Sequence, residues 1–168
     1  SKNIGYYQCD ITSGEDVKST CKQVCSDFQG IHVLINNASL VKQVGKEDLS
    51  GSQAMVERGY ENADLNGLKG LEFYCEDLFK PLENAEWAQQ RYDKVLLDPP
   101  RSGAIEIIQQ MRRFSPKRIV YVSCNPATLA RDSAELLAQG YQLKSAGVMD
   151  MFPHTAHVES MAVFEQQH

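Results

Sequence analysis

The chain has 168 residues, a formal net charge of −5, a pI near 5.4 and 42% hydrophobic residues, which suits one soluble globular domain with a real core. No apolar run approaches the ~20 residues of a membrane span and no secretory signal opens the chain, so a cytoplasmic protein is expected. The acidic balance counts against a stand-alone nucleic-acid binder, although Arg112, Arg113, Lys117, Arg118 and Arg131 leave room for a local basic groove.

In chain order, Ile4 to Cys9 reads as a strand ending at Asp10. Thr12 or Ser13 can cap a helix from about Glu15 to Phe28, with Val17, Cys21, Val24, Cys25 and Phe28 on one face. Ile31 to Ile35 is a buried strand ending at Asn36-Asn37, and residues 38–50 show no period and read as a loop or a seam. A helix from about Ser52 to Asn66 is closed by Gly67. Leu71 to Cys75 reads as a strand ending at Glu76-Asp77, and Leu82 to Gln90 as a polar helix. Strand Lys94 to Leu97 stops at Asp98-Pro99-Pro100, because a residue before proline is pushed out of the helical region. Helix Ile105 to Arg113, strand Arg118 to Val122 and helix Ala127 to Gln139 follow. Two final strands, about Tyr141 to Val148 and His157 to Glu165, have no helix between them. The alternation implies an α/β, mostly parallel sheet with right-handed crossovers, ending in an antiparallel hairpin.

Asp77, Asp98 and Cys124 fall at strand ends or just beyond. Successive parallel strands bring such positions to the rim where ligands bind in open α/β sheets. Glu159, in the final strand, pairs with Cys124 as a candidate general base for a candidate nucleophile. Taken singly, Cys124 reads as a packed thiol and Asp98-Pro-Pro as a strand-ending turn. The five cysteines are odd in number and form no Cys-x-x-Cys pair. Free thiols and no metal site are therefore expected.

Three segments carry a resemblance: Asp98-Pro-Pro-Arg-Ser-Gly103, Ser123-Cys-Asn-Pro-Ala-Thr-Leu-Ala-Arg-Asp132, and Asp150-Met-Phe-Pro-His-Thr-Ala-His-Val-Glu-Ser160. Together they resemble the RNA (uracil-5-)-methyltransferase family, of the 23S ribosomal RNA type, over Gly51 to about Phe164. The resemblance implies a Rossmann-like class I methyltransferase sheet, S-adenosylmethionine as methyl donor and RNA as substrate. No protein partner is indicated. It implies Cys124 as nucleophile at C6 of uracil, Glu159 as the base that removes the C5 proton, and Arg101 and Asn125 on the substrate side. Asp98 would lie between cofactor and base, and Asp77 would contact the adenine. His154 and His157 are read as loop-shaping groups. A thiolate is the attacking form, so Cys124 needs help from its surroundings, and the target base must leave its stack.

Residues 1–50 carry no Gly-x-Gly, and Ser50 stands where that family's ribose-binding acid is expected. Cys9-Asp10-Ile11-Thr12 and Ile31-His-Val-Leu-Ile-Asn-Asn-Ala-Ser39 instead resemble the middle of a short-chain dehydrogenase/reductase, where Asp10 and Asn37 would touch the adenosine of a nicotinamide cofactor. None of the seven tyrosines has a lysine four residues on, which counts against an active dehydrogenase. Two units are expected, 1–50 and 51–168, and the foreign strand-helix-strand piece can complete the sheet while carrying the wrong cofactor loop. The methyltransferase family's RNA-binding amino-terminal domain and iron–sulfur cysteines are not expected in this chain. The rival readings are a nicotinamide-dependent oxidoreductase fragment and a non-catalytic remnant of the fold.

Overall fold

A computed structural model describes residues 15, 19, 33–36, 49–67, 69–150, 154, 155 and 157–167. The strand expected over Ile4 to Cys9, and Asp10 and Asn37, lie outside the described residues. Of the first expected helix, Glu15 and Ser19 are described, and both are helical.

Five strands form one sheet in the order β1-β2-β3-β5-β4. They are β1 (Val33–Asn36), β2 (Lys94–Asp98), β3 (Arg118–Ser123), β4 (Tyr141–Met149) and β5 (Glu159–Gln166). β1, β2 and β3 are parallel, and β5 lies antiparallel between β3 and β4. This is the expected mostly parallel sheet with a carboxyl-terminal antiparallel hairpin. β1 occupies the place beside β2, with Asn36 opposite Asp98. Helix α1 (Leu49–Leu65) contains residue 50 in its first turn. It ends at Asn66-Gly67, where Gly67 takes a φ of 64° and its N–H bonds the Asp64 carbonyl at 2.9 Å. That is the left-handed close a glycine permits without strain.

One sheet face makes the core. In β2 and β3 alternate residues are buried, as a period of two requires when one side is covered. Val95, Leu97, Ile119, Tyr121, Ala162 and Phe164 pack against α2 (Ile105–Gln109), α3 (Met111–Phe114) and α4 (Pro126–Ala138) through Ile107, Ile108, Met111, Phe114, Leu129 and Leu136. Trp87 stacks on Phe114 with ring centroids 5.6 Å apart. In β4 the register slips between Leu143 and Ser145, so Lys144 is an extra residue at the sheet's edge.

Three expectations fail locally. Leu71 to Cys75 forms no strand. A strand needs a neighbouring ladder to satisfy its backbone, and in this sheet the place beside β2 is taken by β1. The polar helix over Leu82 to Gln90 is reduced to a 3₁₀ turn, Glu86–Gln89, whose Trp87 and Ala88 are buried. The helix over Ile105 to Arg113 breaks at Gln110 into α2 and α3, and α3 then closes on Ser115 with φ 43°.

Candidate active site

The chain leaves β3 through a tight local turn. The buried Ser123 hydroxyl accepts a hydrogen bond from the Asn125 N–H at 3.1 Å and lies 3.0 Å from the Asn125 carbonyl oxygen. Asn125 then caps α4: its Oδ1 accepts from the Ala127 N–H at 3.1 Å, and Pro126 takes the first helical position. Both choices follow from local chemistry, since an asparagine oxygen meets an orphan donor and a proline has no N–H to orphan. Cys124, a half-buried free thiol, sits inside this turn.

Glu159 begins β5, the antiparallel neighbour of β3. Ser123 pairs with Ser160 and Met149 with Glu159. The β3–β5 ladder ends at the Ser123–Ser160 pair, with Cys124 the next residue after the one and Glu159 the residue just before the other. On the other side of β3, Leu97 pairs with Tyr121, so Asp98 ends its strand beside Val122. Asp98, Cys124 and Glu159 thus share one rim. Burial raises the pKa of the Asp98 carboxyl above the ordinary carboxylate value.

Arg101 stands in the turn after β2 with an exposed side chain. Its backbone is fixed from below: the Arg101 carbonyl accepts from Asn125 Nδ2 at 3.2 Å and from Thr128 Oγ1 at 3.4 Å. The Asn125 amide is therefore engaged by the protein at both ends. Asp77 lies apart from this group in character. It sits in an exposed turn, where its Oδ1 accepts from the Phe79 N–H at 3.1 Å and its Oδ2 pairs with Lys80 Nζ at 3.3 Å. Because Leu71 to Cys75 is not a strand, the strand-end argument that grouped Asp77 with Asp98 does not hold. His154 is exposed with φ 68°, and the His157 N–H bonds Thr155 Oγ1 at 3.2 Å. Phe152 and Pro153 lie outside the described residues.

Beneath Arg101 is a group that the sequence reading did not single out. Asp132 is fully buried. Its Oδ2 accepts from the Ala104 N–H at 2.7 Å and from the Tyr121 hydroxyl at 2.6 Å. Its Oδ1 accepts from Arg131 Nε at 2.8 Å. Burial, first, and the bond to Asp132 push the Tyr121 hydroxyl well above the ordinary phenol range, so it serves as a donor. A signal was available: Asp132 falls on the same helical stripe as Leu129 and Leu136, and an acid on an apolar stripe must be paired when buried.

A parallel sheet closed by an antiparallel hairpin, with helices packed on it, is a Rossmann-like α/β architecture. The family model for tRNA (Uracil-5-)-methyltransferase matches residues 68–167, and the chain belongs to that family. It is 64% identical over 115 residues to the 23S rRNA (uracil(1939)-C(5))-methyltransferase RlmD of Alcanivorax borkumensis, a match covering 68% of this chain and 26% of that protein. To the RlmD of Hahella chejuensis it is 64% identical over 122 residues, covering 70% and 27%. The chain thus spans about a quarter of the length of the curated relatives it matches. Among solved structures, M. jannaschii TYW2 in complex with AdoMet is 18% identical, with a TM-score of 0.38, covering 64% of this chain and 51% of that one. Among the described residues, no helix is long and apolar enough to cross a membrane.

Proposed function

We propose that this chain carries the catalytic part of an enzyme that methylates C5 of a uridine in ribosomal RNA, with S-adenosylmethionine as methyl donor. The observation that supports the reading is the end of the β3–β5 ladder, where Cys124 follows Ser123 and Glu159 precedes Ser160, its partner in the last pair. C5 of uracil is a weak nucleophile. Addition of the Cys124 thiolate to C6 makes C5 an enolate-like carbon able to take a methyl group. Glu159 then removes the C5 proton, the C5–C6 double bond re-forms, and the thiolate leaves with the C6–S electron pair. Arg101, exposed above the Asn125 and Thr128 contacts, meets the charge that develops on a uracil carbonyl oxygen. Asn125 bounds the substrate side between Cys124 and Arg101.

The bound donor supplies an electrophilic methyl group on a positively charged sulfur. Asp98 fits such a group: a carboxylate whose charge is disfavoured by burial gains most from a cation beside it. Asp77 is assigned to the adenine on the family resemblance alone. Residues 1–50 bring no glycine-rich turn for the donor, so weak binding is expected, and tight binding by calorimetry would contradict this.

The test is trapping on RNA that contains 5-fluorouridine, with S-adenosylmethionine present. Fluorine at C5 cannot leave as a proton does, so a methylated covalent adduct persists. The expected result is an adduct with the wild-type chain and none with Cys124→Ala. No adduct from a chain whose circular dichroism shows a folded α/β domain overturns the reading for this chain.

A further inference from the structure

The turn that follows β2 is held almost wholly by side chains of the helix that follows Cys124. The Arg101 carbonyl is held by Asn125 and Thr128, the Ser102 carbonyl by Arg131 Nη2 at 2.9 Å, and the Ala104 N–H by Asp132 at 2.7 Å. Within the turn the Gly103 N–H bonds the Pro100 carbonyl at 2.8 Å. Gly103 takes a φ of 88°, and a Cβ there would come within 2.5 Å of Arg131 Nη2 and of Asp132 Oδ2. The backbone is thus pressed against the carboxylate, with no room for a side chain between them. The Asp132 carboxylate in turn rests on Tyr121, a β3 residue three before Cys124 in sequence. One buried acid therefore joins the strand that leads to Cys124, the helix that leaves it, and the turn that carries Arg101.

Nothing in the proposed chemistry uses Asp132 directly, and its oxygens are occupied by Ala104, Tyr121 and Arg131. A buried acid held in this way is costly to keep unless its partners require it. From the geometry we propose that Asp132 is a positioning residue, which acts through Tyr121, Arg131 and the Gly103–Ala104 backbone to fix Arg101 relative to Cys124. This deepens the function proposed above and rests on it. Misplacing a reacting group by about 1 Å can cost on the order of a hundredfold in rate even when the altered residue is remote from the chemistry.

Two readouts on the same variants test this. The first is amide hydrogen exchange at Gly103 and Ala104. The second is the single-turnover rate of adduct formation on 5-fluorouridine RNA at saturating RNA and S-adenosylmethionine, below the melting temperature of each variant. In Asp132→Asn, exchange at the turn is expected to rise at least tenfold while β2 and β3 keep their protection, and the adduct rate is expected to fall tenfold to a hundredfold. Tyr121→Phe and Arg131→Ala each remove part of the same network, so each should give a smaller loss in both readouts should Asp132→Asn fail to fold. Unchanged exchange at the turn in all folded variants overturns the proposal. So does a loosened turn with an unchanged adduct rate. No adduct from the wild-type chain instead overturns the functional reading and the rate half of this proposal with it, while exchange still decides whether Asp132 holds the turn.

Discussion

In β2 and β3 each inward apolar residue finds a packed neighbour, with Leu97, Ile119 and Tyr121 all at 0% exposure. Between the end of α1 and the 3₁₀ turn burial is patchy: Leu82 is in the core, while Leu65 stands in solvent and Leu71, Tyr74 and Phe79 are nearly half exposed. Both regions lie almost wholly inside the same family match, and both contain apolar runs. The difference is a partner. β2 has a ladder on each side, whereas Leu71 to Cys75 has none. An apolar run becomes a strand when a neighbour satisfies its backbone, and without one its side chains are only partly covered, as Phe73 is by Tyr60 and Tyr74 by Trp87. Cys124 follows a paired strand, whereas no strand leads to Asp77, which sits in a turn with Phe79 and Lys80.

The contrast is broken most severely by emptying the well-packed region. Phe164→Ala removes a fully buried ring and should cost about 3–5 kcal/mol, while Tyr74→Ala in the open region should stay within about 0.5 kcal/mol. Urea unfolding of the two variants measures both, and equal losses would erase the distinction. Next comes Gly103→Ala, which forces a side chain into a left-handed position already filled by Arg131 and Asp132. A cost of about 1–3 kcal/mol is expected, visible as a lower melting temperature. Tyr121→Phe deletes one donor to Asp132 and leaves the ring's packing in place. It should cost about 1–3 kcal/mol, at the lower end because Ala104 and Arg131 still donate to Asp132. The smallest effect belongs to Asp98. Its pKa is raised by burial, so the folded protein holds the proton more tightly than the unfolded chain does. The resulting destabilisation is present above the folded pKa and disappears as pH falls through it. Asp98→Asn should therefore be slightly more stable than wild type at neutral pH and no more stable at acid pH, as paired urea melts would reveal, while binding of the methyl donor weakens.

What could be read from the sequence was what depends on neighbours along the chain. The strand ends at Asp98 and Ser123 and the glycine close at Gly67 express chemistry within a few residues. The hairpin of β4 and β5 followed from two strand patterns with no helix between them. The lost strand at Leu71 was beyond that reach, because its fate depends on which segment lies beside β2. The break at Gln110 was equally hidden. There the Leu82 N–H bonds Gln110 Oε1 at 3.2 Å, from a segment far away in sequence. In the site, the residue types and their order were legible. The grip of α4 on the turn after β2 was not, since an aspartate late in a motif gives its role away only when its burial is known.

The slipped register in β4 bears on how the molecule behaves in a crowd. β4 is an outer strand, and it shows Leu143 and Val148 to solvent at 48% and 71% exposure. A flat apolar margin of that kind recruits strands from other copies. The extra residue at Lys144, whose ammonium reaches Gln142 Oε1 at 2.9 Å, interrupts the even spacing of donors and acceptors that an incoming strand must match, and sets a charge in its path. The same irregularity that ends a clean ladder inside the molecule thus discourages copies of the chain from adding their own strands outside it.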